Sequence, residues 1–91
     1  MDESIIFINT MKEQILNAIA VHNVSQYHHA KTNLDNYLIW CMHNHLANPA
    51  AIGEHPDIVT EAIKLVETME AAESNLQTLN AAYGTDYTTA I

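Results

Sequence analysis

Apolar residues early in the chain recur at Ile5, Ile8, Met11, Ile15 and Ile19, three or four positions apart, which is the spacing of one helix face. A second stripe runs through Tyr27, Ala30, Leu34, Tyr37 (with Leu38), Cys41 and His45. Extending the first stripe at about 3.6 residues per turn leads to positions near 22, 26, 29 and 33, so the second is rotated by on the order of 100°. A straight helix cannot keep both stripes on one core. Between them, His22-Asn23-Val24-Ser25 holds weak helix formers, and Asn23 with Gln26 has a loose capping-box spacing, Ser25 being a rival cap. The pattern predicts two helices, 4–22 and 26–47, with a break near 22–25. One long bent helix over 4–47 is the alternative. Ser4 or Asp2 would cap its start.

The first 48 residues contain neither Gly nor Pro, and Asn48-Pro49 ends the helical pattern because a residue before proline is pushed out of the α region. Residues 48–56 hold three of the four Gly and Pro residues and read as the one substantial loop. Pro56 suits the first turn of a third helix, with Asp57 and Glu61 favourable near its positive end, and Gly84 supplies a left-handed stop. Within 56–83, Ile58, Ala62, Leu65, Met69, Ala72, Leu76, Leu79 and Tyr83 alternate at spacings of four and three, a heptad seam of about four repeats. Ile63 and Val66 widen this seam in its first half only. The tail 84–91 reads as irregular. The expected fold is all-α: a three-helix bundle, or a helical hairpin plus a long coiled-coil-like C-terminal helix, in a single domain over 1–91.

Composition supports that fold. Ninety-one residues suffice for one small core, 48% are apolar, and two Gly with two Pro are too few for a many-stranded β fold. Charge narrows the partners. Eleven acidic residues stand against Lys12, Lys31 and Lys64 with no Arg, a net charge of −8. Three scattered lysines cannot displace the counterions of a nucleic-acid backbone or hold an anionic membrane surface, so neither is expected as a direct partner. The longest apolar run, Leu38-Ile39-Trp40-Cys41-Met42, is far short of a membrane span. Met1-Asp2-Glu3-Ser4 lacks the positive charge of a secretory signal, and a lone cysteine forms no internal disulfide. A cytoplasmic protein is expected, or one assembled into a virion made there.

Six histidines fall between His22 and His55, which raises metal binding. Helix geometry prunes it: His28 and His29, or His43 and His45, point too far apart to chelate one ion. Cys41 and His45, four apart, share a face and are the remaining candidate ligands, but two ligands do not make a site. No cofactor is expected. A catalytic thiol is not expected either, because Cys41 sits in an apolar run with no orienting residue or oxyanion loop. Glu67, Glu70 and Glu73 lie three apart, the ordinary look of a solvated helix face. No P-loop, dinucleotide, zinc-finger or EF-hand pattern is present, and enzyme activity is not expected.

The heptad seam is the most specific signal. A helix over 56–83 would be about 40 Å long, against about 30 Å for each of the others, so its last two turns would overhang. Those turns carry Leu76, Leu79 and Tyr83, which the tail, with Tyr87 and Ile91, would cover unless a second chain does. The expected function is a small acidic interaction or assembly subunit, of virion or phage type, self-associating through Met69, Leu76, Leu79 and Tyr83, with Glu67, Glu70 and Glu73 beside them. An acidic inhibitor that docks on the basic, nucleic-acid-binding surface of an enzyme is the alternative, and a metal-binding helical module the third reading.

Overall fold

In a computed structural model, which describes residues 3–45 and 56–91, the chain forms two antiparallel helices and a short C-terminal 3-10 turn. Helix α1 spans Glu3–His45 and α2 spans Pro56–Tyr83; η1 covers Tyr87–Ala90. Among the described residues there is no strand. The molecule is a rod, 69 Å long and 19 Å and 18 Å across. Its length is close to the roughly 65 Å of a 43-residue helix at about 1.5 Å per residue.

The expected break at 22–25 does not exist, and helices 4–22 and 26–47 are one element as far as His45. Ser4 lies inside α1 rather than capping it; Asp2, and residues 46–47, lie outside the described residues. Asn23 explains the continuity. It is 7% exposed, its Nδ2 donates to the carbonyl of Ile19 at 2.9 Å, and its Oδ1 accepts from Asn75 Nδ2 at 3.0 Å. A weak helix former costs only tenths of a kcal/mol against alanine, which a buried and bonded position readily offsets.

The core face of α1 also differs from the expected one. Its inward residues are Leu16, Ala20, Asn23, Tyr27, Ala30, Leu34, Tyr37 and Cys41, all buried or half-buried. They alternate at four and three, the same repeat that α2 carries. The second stripe was therefore the seam, and it continues back through Asn23 and Ala20. Met11, Ile15 and Ile19 of the first stripe are exposed on another face. The two stripes are indeed out of phase, and a continuous helix resolves the conflict by burying only one of them.

Seam meets seam along the hairpin. The Asn23–Asn75 bond sets the register, bringing Leu76 to the level of Ala20 and Asn23, and Met69 to that of Ala30. Large residues of α2 thus face small residues of α1, which lets the helices approach closely. Leu76 is fully buried. The expected overhang is reversed as well: α1 is the longer helix, and its first turns project past the end of α2.

The close of α2 follows expectation. Gly84 has φ +65°, and its N–H donates to the Asn80 carbonyl at 2.9 Å, the left-handed stop that glycine allows. The tail then folds back rather than running free. Asn80 Oδ1 accepts from Thr85 Oγ1 and from the Tyr87 N–H, both at 2.8 Å, and its Nδ2 donates to Thr88 Oγ1 at 3.1 Å. One amide thereby holds three tail residues.

Candidate interaction surface

Seam-to-seam packing leaves the hairpin with two flanks, one on each side of the seam. On the first lie Asn17, Val24, Lys31 and Leu38 of α1, following the seam by one position, and Val59, Val66, Glu73 and Asn80 of α2. The tail docks here: the Tyr87 hydroxyl donates to Asn17 Oδ1 at 3.0 Å, and His28 Nε2 lies 2.8 Å from the Ala90 carbonyl. We call this the tail flank. The tail covers it at the level of Asn17 to His28.

Nearer the interhelical connection, the tail flank changes character. Leu38 and Met42 of α1 stand beside Val59, Ile63 and Val66 of α2, all between 38% and 50% exposed. Five large apolar side chains from two helices make a contiguous patch. Its centre holds no charge; Lys31, Asp35 and Glu70 stand at its edge, all exposed.

The opposite flank is mostly polar. Gln26 and Asn33 of α1 and Glu61, Thr68 and Asn75 of α2 lie along it, with His22, His29 and His43 behind them. Its open cleft, of about 280 Å³, is lined by His22, Gln26, Thr68 and Asn75 over Asn23 and Ala72. We call it the amide flank. Trp40 also lies here, stacked on Tyr37 at 6.0 Å between centroids and 17° between planes. Burial, Cys41 and the carboxylates of Asp57 and Glu61 push the Tyr37 hydroxyl above its ordinary pKa, because each disfavours the phenolate.

At the open end of the rod, Lys12 Nζ lies 5.1 Å from the centroid of the Tyr83 ring. Asn9, Glu13, Leu16, Asn17, Thr85 and Tyr87 complete an open, polar cleft of about 480 Å³ there. It joins amides and phenols with one paired cation, and no nucleophile, base and orienter come together in it.

The expected partner-binding residues divide. Leu76 is core, Met69 and Leu79 are half-buried against α1, and of the seam only Tyr83 is well exposed. α1 occupies the seam that a second chain was expected to cover. Glu67 and Glu70 are exposed and Glu73 half-buried, accepting from Gln77 at 3.5 Å; Glu61 pairs with Lys64 at 3.0 Å. Cys41 is buried on the seam, and the side chain of His45 lies outside the described residues. Among the described residues no three His, Cys, Asp or Glu side chains are placed to hold a metal ion.

The apolar patch itself was not anticipated as a surface. Its signal was in the sequence, since Ile63 and Val66 widen the α2 seam and Leu38 adjoins Tyr37. What was lacking was the register that places them together. No family model matches the chain, and no curated protein or solved structure matches it either. No helix among the described residues is long and apolar enough to cross a membrane.

Proposed function

We propose that this protein is a small acidic interaction and assembly subunit that works by binding protein, first of all another copy of itself. One observation carries the reading: the exposed large apolar side chains far outnumber the buried ones. Among the described residues twelve are exposed, whereas Ile58 and Leu76 are the large aliphatic side chains in the buried set, beside Ala20, Ala30, Ala72 and Cys41. A two-helix rod has a single layer of contact, and small domains bury too little surface to be stable on that alone. Association supplies the missing burial. Partner and assembly follow from surface chemistry, so no cofactor or catalytic group is needed.

Sedimentation velocity at tens of micromolar should show a dimer or larger species. Salt sharpens the test. Copies that each carry −8 repel one another, so self-association should strengthen as salt rises from about 50 to 500 mM. Docking of an acidic inhibitor on a basic surface would weaken instead. A monomer at all salt concentrations contradicts self-association.

A further inference from the structure

We infer that the partner copy seats on the loop-proximal half of the tail flank, over Leu38, Met42, Val59, Ile63 and Val66, in a two-fold, patch-on-patch contact. The inference rests on the self-association reading and adds where the copies meet.

Area is the first argument. At 38–50% exposure, these five side chains leave roughly 400 Å² of apolar surface in water, as much as the largest contiguous patch of an ordinary monomer. A stable interface buries about 800 Å² per partner, of which somewhat over half is apolar. The patch and its polar rim together match that size. Among the described residues the other exposed aliphatic side chains (Met11, Ile15, Ile19, Val21, Ile39) and Trp40 are supplied by α1 alone, and α2 contributes no large aliphatic residue to the amide flank.

Charge is the second. The chain is strongly acidic, so a second copy is tolerated only where acid is sparse. Asp57 and Glu61 lie towards the amide flank, and the patch centre is uncharged, as interface cores are. Lys31 stands at the rim with Asp35 and Glu70, giving each copy both signs to present across a dyad.

The tail sets the limit of overlap. It occupies the same flank from Asn17 to His28, so a partner reaches only the half from Lys31 to Met42. The copies therefore join by their loop-proximal halves and leave the open ends of both rods apart.

Two patch variants on different helices, Ile63→Glu with Val66→Glu, and separately Leu38→Glu, test this by sedimentation beside the wild type. Ile15→Glu with Ile19→Glu is the control on the outer face. All five positions lie outside the seam on α1 or α2 and accept glutamate as helix, and circular dichroism checks that helix is retained. The expected result is a wild-type dimer whose dissociation constant rises at least about 30-fold in both patch variants and little in the control. Unchanged mass in the patch variants, with dissociation in the control, would overturn this face while leaving self-association standing. A wild-type monomer would overturn both.

Discussion

The tail flank and the amide flank are built from the same two helices, and the difference between them lies chiefly in what α2 contributes. On the tail flank α2 presents Val59, Ile63 and Val66 before reaching Glu73 and Asn80; on the amide flank it presents Glu61, Thr68 and Asn75. One flank is thus sealed at one end by the chain's own tail and left apolar at the other. The other is mostly polar, apart from Ile19 and Trp40, and holds the part-buried Asn23–Asn75 bond. A heptad seam dictates that two helices pair. The positions immediately beside the seam decide what each side of the pair does next. In this rod one side specifies register and the other is available for burial.

The largest test of that division removes what both flanks rest on. Leu76 is fully buried at the level of Ala20 and Asn23. Leu76→Ala should lower stability by about 3 kcal/mol in urea unfolding at fixed protein concentration, through lost transfer energy and a residual cavity. A loss under about 1 kcal/mol would mean that the seam is not the core.

A smaller effect is expected on the amide flank. Asn23→Ala removes two hydrogen bonds, one to the Ile19 carbonyl and one from Asn75. Asn75 is exposed and can turn to water, so the cost should be about 1 kcal/mol. Asn23→Leu separates stability from register: it should unfold no more easily than the wild type, yet pair its helices less uniquely, seen as broadened amide resonances in α2. Sharp, single resonances in that variant would deny the amide pair a register role.

The smallest effect belongs to the tail. Tyr87→Phe deletes the hydroxyl that donates to Asn17 and should cost about 0.5 kcal/mol, with faster hydrogen exchange confined to the tail amides. Equal acceleration throughout α2 would show that the tail is part of the core rather than a cover on one flank.

The reach of the sequence followed from the physics of each signal. α2 was legible from Pro56 to Tyr83 because proline, heptad and left-handed glycine act locally and agree with one another. α1 was misdivided because its core face carries Ala20, Asn23 and Ala30, which score poorly as hydrophobic, while exposed Ile15 and Ile19 score well. Small residues at a seam signal close helix approach, and that is visible only once the partner helix is in register. Asn23 looked like a cap for the same reason: its bond partner Asn75 is 52 positions away. The patch needed that register too, since Leu38 and Val59 come from different helices.

The central claim is that copies meet through the tail flank, and distance between copies tests it most directly. In a Cys41→Ala background, nitroxide labels placed through Glu70→Cys on the patch rim and, separately, through Thr68→Cys on the amide flank report that distance by pulsed electron resonance. Helices packed at about 8–10 Å should bring the position-70 labels of two copies within about 25 Å, with the position-68 labels clearly farther apart. A shorter distance at 68 than at 70, or no dipolar signal between copies at either position, would contradict the account.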